Sequence, residues 1–132
     1  MTQRANGSFE VKITPQSLAN TEAAATLSRM SIDKQYTGDL IASGRGEMLT
    51  AGSAVAGSAG YVAIEYVDGS LNGRSGSFVL QHSGTMNRGA AQLSVTVVPD
   101  SGTGELVGLS GTLAIIREAG QHRYEFDYSL PE

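Results

Sequence analysis

Ser101-Gly102-Thr103-Gly104-Glu105-Leu106-Val107-Gly108-Leu109-Ser110-Gly111-Thr112 lies between two apolar runs, one stopped by Pro99 and one covering residues 113–116. A second block, Gly73-Arg74-Ser75-Gly76-Ser77-Phe78-Val79-Leu80-Gln81-His82-Ser83-Gly84-Thr85, is punctuated by glycine in the same way. Glycines so placed suit points where strands bend or pack closely. Together the blocks point to a small closed β-barrel. They name no reaction.

Outward from these blocks, period-two alternation dominates. Phe9, Val11 and Ile13 share one parity, with Ser8, Glu10 and Lys12 on the other. Thr14-Pro15 ends that strand, and Pro15 is suited to open a short helix capped by Thr14. Residues 17–27 are alanine-rich, so a helical turn and a surface loop compete there. Residues 27–36 alternate again, and Thr37-Gly38 is a turn or bulge. Residues 39–49 read as a glycine-kinked strand with Leu40, Ala42, Gly44, Gly46 and Met48 on one parity. Residues 61–67 form a strand closed by an Asp68-Gly69 turn, and 71–82 form the next. Strands at 92–98, 110–117 and 122–130 follow, the last two joined by a hairpin at Ala119-Gly120-Gln121. About eight antiparallel strands with short links is the count at which a sheet closes around side chains or one small ligand. A two-sheet sandwich is the alternative closure.

The bulk numbers agree with one domain over residues 1–132. The chain is 40% hydrophobic, enough for a single core. It has no cysteine, which removes disulfides, thiolate metal sites and a thiol nucleophile. Nine scattered basic residues and a net charge of −4 do not suit a nucleic-acid backbone. The N-terminal residues carry no signal-like apolar segment, and no run is long enough to span a bilayer. A soluble, cytoplasmic protein without nucleic-acid or membrane partners is expected.

No Walker loop, zinc-protease helix or nucleophile elbow is present. The candidates are polar residues on apolar parities. His82 shares parity with Phe78 and Leu80, so it points inward if Phe78 does. An imidazole in a cavity can act as acid or base, although a structural histidine is the commoner case. His122 shares parity with Tyr124, Phe126 and Tyr128. Two histidines and a carboxylate can bind a metal, but nothing in the spacing demands it, and no metal or cofactor is expected. Glu65 lies inside Tyr61-Val62-Ala63-Ile64-Glu65-Tyr66-Val67. If it points inward, desolvation raises its pKa and suits it to proton transfer. Val62, Ile64 and Tyr66 make an equally good inner face, and the outward reading of Glu65 is narrowly preferred. Lys34 is expected at the rim, with pairing to a carboxylate as the other reading. Arg74 is expected as an exposed turn residue, with an ion pair to Glu65 as the other. Glu105 is expected to bond free backbone amides near its loop.

Several stretches carry a resemblance across nearly the whole chain: Met30-Ser31-Ile32-Asp33-Lys34, Gly46-Glu47-Met48-Leu49, residues 61–65, 73–82, 101–112 and 122–128. The sequence resembles a bacterial domain family of unknown function with the allene oxide cyclase-like barrel. More distantly, it is similar to plant allene oxide cyclases and dirigent proteins. The resemblance implies an all-β fold, a closed eight-stranded antiparallel barrel, and a homo-oligomer, since relatives commonly self-associate. It transfers no functional residue. The distant relatives steer cyclisation or coupling of reactive small molecules inside the barrel.

The expected function is binding of a small apolar molecule inside the barrel. Glu65 and His82 are the candidates to assist an isomerisation or cyclisation. Tyr61, Phe78, Tyr124 and Phe126 are the candidates to contact the ligand. The competing expectations are a non-catalytic lipophilic-ligand carrier and a structural barrel whose interior is filled.

Overall fold

The computed structural model describes residues 2–20, 22 and 26–131. Among the described residues, eight strands run in chain order: β1 (Gln3–Gln16), β2 (Leu27–Gly38), β3 (Leu40–Ala51), β4 (Ala59–Leu71), β5 (Arg74–Asn87), β6 (Ala90–Val97), β7 (Ser110–Glu118) and β8 (Gln121–Ser129). Each is antiparallel to its sequence neighbour, and β8 returns to β1 to close the barrel. Closure pairs the strand edges that an open sheet would expose. Among the described residues, no helix is long and apolar enough to cross a membrane.

Alternation decides which side chains enter. On β3, Leu40, Ala42 and Gly44 are buried while Ile41 is exposed. On β8, Tyr124, Phe126 and Tyr128 point inward. The interior has two unlike halves. In one, Leu40, Leu71, Phe78, Val97, Leu113, Phe126 and Tyr128 pack solidly. Phe78 stacks on Phe126 at 5.8 Å between ring centroids. The Ser101–Thr112 stretch explains why this half is shut. After β6 the chain folds across the end, makes a 3-10 turn at Gly104–Leu106, and buries Leu106 and Leu109. Gly76 and Gly102 permit this lid. A Cβ on Gly76 would meet the Thr103 carbonyl oxygen at 2.1 Å, and one on Gly102 the Leu106 carbonyl oxygen at 1.9 Å. The same excursion leaves β6 and β7 joined at a single register pair, Thr96 with Thr112.

Tyrosine hydroxyls lock this half. The Leu40 N–H donates to the Tyr124 hydroxyl at 2.9 Å, which donates onward to the Thr37 carbonyl at 2.8 Å. The Asn72 amide donates to the Tyr128 hydroxyl at 2.7 Å.

Two local expectations are corrected. Asp68 and Gly69 lie within β4, and the hairpin turns instead at Asn72-Gly73, with φ of 48° and 84°. Asn-Gly suits such a turn because both residues accept positive φ. Thr14 and Pro15 do not start a helix but continue β1, where Pro15 pairs with Met30. That stretch has run beyond its last register pair with β8, Phe9 with His122, and an unpaired side tolerates proline's missing N–H. Residues 17–20 are irregular. In the rest of the expected helical turn, positions 21 and 23–25 lie outside the described residues.

Candidate functional site

The other half of the barrel is an open cup of about 510 Å³. Its walls are mostly apolar: Val11 and Ile13 from β1, Ile32 from β2, Met48 from β3, Leu93 from β6 and Ile115 from β7. That volume lies in the range of small-molecule pockets. Lys34, Tyr61 and His82 also line it, with Arg117 and His122 on β7 and β8.

A buried polar cluster forms the floor. Glu65 points inward from β4 and is wholly buried. Its outward neighbours Val62, Ile64 and Tyr66 are about half exposed, at 53%, 53% and 50%. The preference for an outward Glu65 is therefore corrected. Cross-strand pairing is the cause: Ala63, Glu65 and Val67 sit opposite His82, Leu80 and Phe78 on β5, all buried. Residues opposite each other share a face.

Glu65 Oε1 lies 3.1 Å from Lys34 Nζ and 2.9 Å from His82 Nε2. Tyr36 donates its hydroxyl to Oε2. Lys34 is buried rather than at the rim, and its ammonium also lies 4.7 Å from the Phe9 ring centroid. Of the two readings offered for Lys34, pairing with a carboxylate is the one observed. Gly44 makes room for the cluster, since a Cβ there would fall 2.1 Å from Glu65 Oε2.

The electrostatics follow from these contacts. Burial alone pushes the Glu65 carboxyl upward, but the His82 hydrogen bond, the Lys34 charge and the Tyr36 hydrogen bond outweigh it. The group is held below the usual carboxylate range. This reverses the expectation that an inward Glu65 has a raised pKa. Burial, then the Glu65 charge, pushes the Tyr36 phenol well up, so Tyr36 keeps its proton and donates it. Tyr61 is also pushed up, first by burial and then by Glu65, with Arg117 acting in the opposite sense.

Chemically, Glu65 is a fixed anion with its lone pairs engaged, and it does not line the cup. A carboxylate bound to one imidazole nitrogen fixes the ring's orientation. His82 does reach the cup wall, with its ring 6.5 Å from that of Tyr61.

The other sequence candidates fall in different places. Tyr61 lines the cup. Phe78, Tyr124 and Phe126 are buried in the packed core and are not part of the cup lining. His122 lines the mouth and stacks on Phe9 at 5.1 Å. Arg74 is exposed beside the β4–β5 turn, so it does not pair with Glu65. Glu105 accepts the Ser75 N–H at 3.0 Å, a structural contact holding the lid to β5. Tyr36 was not among the sequence candidates. Its signal was parity shared with Lys34 and Ile32. Among the described residues, no group of three His, Cys, Asp or Glu side chains is arranged to hold a metal.

Fold and site define a small antiparallel barrel, solid at one end and open at the other, with an ionic floor between. Residues 5–128 match the family described as "Protein of unknown function (DUF3224)", and the chain belongs to it. The fold is similar to the crystal structure of a DUF3224-family protein of unknown function from Shewanella oneidensis MR-1. The two share 51% identity over 100% of this chain and 99% of that one, with a TM-score of 0.94. No curated protein matches the chain.

Proposed function

We propose that the open half of the barrel binds a small, mainly apolar molecule, with His82 and Lys34 facing its inner end. The observation that carries this reading is the pairing of an apolar-walled cup with a buried ionic floor. Stability gives little reason for such a floor. Buried ion pairs can often be replaced by apolar side chains of similar volume without loss. The packed half of this barrel is built from apolar and aromatic side chains in just that manner. A few polar groups at the end of an apolar pocket are instead the usual means of orienting a ligand.

Native mass spectrometry on protein purified from its own host, before and after mild denaturation, tests the reading. A released passenger supports it. Met48→Trp, which fills the cup from β3, should abolish uptake of an apolar dye while leaving the far-UV spectrum unchanged. A protein that arrives empty and takes up no dye would sink it.

A second reading is supported by the His82–Glu65 bond: proton transfer within the bound molecule, leading to isomerisation or cyclisation. His82 would exchange the proton and Glu65 would be its positioning residue. Confinement of the substrate would supply part of the rate. Such a reaction conserves mass, so the passenger's chromatographic retention before and after incubation is the readout. His82→Gln should retain binding and stop the change in retention. A passenger that emerges unaltered from the wild-type protein refutes catalysis and leaves the carrier reading.

A further inference from the structure

Charge is unevenly distributed between the cup and the rest of the chain. The sequence carries 13 Asp and Glu against 9 Lys and Arg. Among the described residues, none of those acids lines the cup, whereas Lys34, His82, Arg117 and His122 do. Lys34 is neutralised by Glu65 at 3.1 Å. Arg117 has no such partner: among the described residues it takes part in no salt bridge. The acid next to it in sequence, Glu118, is engaged by Arg123 at 3.3 Å. Arg117 stands opposite His122 in the β7–β8 register, and His122 is held against the Phe9 ring. The mouth thus presents an unpaired guanidinium beside an imidazole, above apolar walls.

We propose that the ligand of this cup is an amphiphilic monoanion, its apolar body inside the barrel and its acidic head at the mouth against Arg117. The inference rests on reading the cup as a binding site. The head is a carboxylate, sulfonate or phosphate diester, groups that a guanidinium meets with paired hydrogen bonds. The reverse orientation is disfavoured by the floor. There the one ammonium that faces the cup, that of Lys34, is already neutralised by Glu65, whereas the Arg117 guanidinium at the mouth is unpaired.

Two dyes with the same aromatic body separate charge from apolarity: 1-anilinonaphthalene-8-sulfonate and its uncharged parent, N-phenyl-1-naphthylamine. Fluorescence titration of the wild-type protein should show the sulfonate bound more tightly, with an affinity that falls as salt is added. Arg117→Gln should weaken the sulfonate by about fivefold, the scale of a solvent-exposed ion pair, and leave the parent dye unchanged. Arg117→Lys should recover part of the loss. If Arg117→Gln alters neither dye, or both equally, the charge assignment falls and the cup stands. If the parent dye fails to bind the wild-type protein, or still binds Met48→Trp, the cup reading falls and takes this inference with it.

Discussion

Lys34→Met tests the ionic floor most directly. The substitution keeps an apolar stem of similar length against Phe9 and removes the ammonium 3.1 Å from Glu65. Glu65 is wholly buried and keeps only His82 and Tyr36 as partners. Removing one member of a buried pair costs about 3–5 kcal/mol, because the other is left as an uncompensated charge. With an m-value of about 1.5 kcal/mol per M, a 3 kcal/mol loss lowers the urea midpoint by about 2 M near neutral pH. The pH dependence is the sharper readout. In the wild-type protein the folded Glu65 value lies below its unfolded value. Its contribution is therefore present above the ordinary carboxylate range and lost as pH falls through the folded value. In Lys34→Met, burial is opposed by fewer contacts and the folded value rises. Relative to wild type, Lys34→Met therefore loses stability as pH rises through the interval between the two folded values. The stability gap between the two proteins should be small near pH 4 and widen toward neutrality. Adding Glu65→Gln should recover part of the loss, since no unpaired charge remains. Urea titrations followed by circular dichroism from pH 4 to 7.5 measure all three proteins. A gap that stays constant with pH, or a Lys34→Met protein as stable as wild type at neutral pH, refutes the assignment of Glu65 as an ionised buried partner.

Two further substitutions probe what surrounds the floor. Tyr124→Phe removes the hydroxyl that bridges Leu40 and Thr37 and leaves the Leu40 N–H without its acceptor. It should cost about 1–3 kcal/mol, read as a lower urea midpoint with apolar-dye uptake retained. Gly44→Ala inserts a Cβ where Glu65 Oε2 lies. It should destabilise by about 1–3 kcal/mol, the usual scale of overpacking, and shift the His82 imidazole resonances, because Glu65 must move off its partners. Unchanged His82 resonances would contradict the tight fit between β3 and the carboxylate.

The fold was legible because its signals are local. Alternation on β1, β3 and β8 marks the inner face at Phe9, Leu40 and Tyr124 without help from other strands. The glycines at 76 and 102 lie where a lid crosses the barrel end. Asp68-Gly69 and Asn72-Gly73 are two turn signals a few residues apart, and the chain turns at the second, where both residues take positive φ. Pro15 misled for another reason. Its meaning depends on whether the neighbouring strand still runs beside it, and β8 has no register partner for β1 past Phe9.

Glu65 was ambiguous only while β4 was read alone. Its outward residues Val62, Ile64 and Tyr66 are more apolar than the inward Ala63 and Glu65, so hydrophobicity favours the wrong face. Pairing resolves it. A two-residue hairpin turn, whether at Asp68-Gly69 or at Asn72-Gly73, sets odd positions of β4 opposite even positions of β5. Once Phe78, Leu80 and His82 face inward, Val67, Glu65 and Ala63 must do so too. Either turn gives the same parity, and the constraint on Glu65 lies in its strand partner. The glycines of β3 carried a second signal, since the absent side chain at Gly44 is the volume that the Glu65 carboxylate occupies. What no strand-by-strand reading supplies is the convergence itself. Lys34, Tyr36, Glu65 and His82 come from three strands, β2, β4 and β5, and meet only because the sheet curls until its faces look inward at one another.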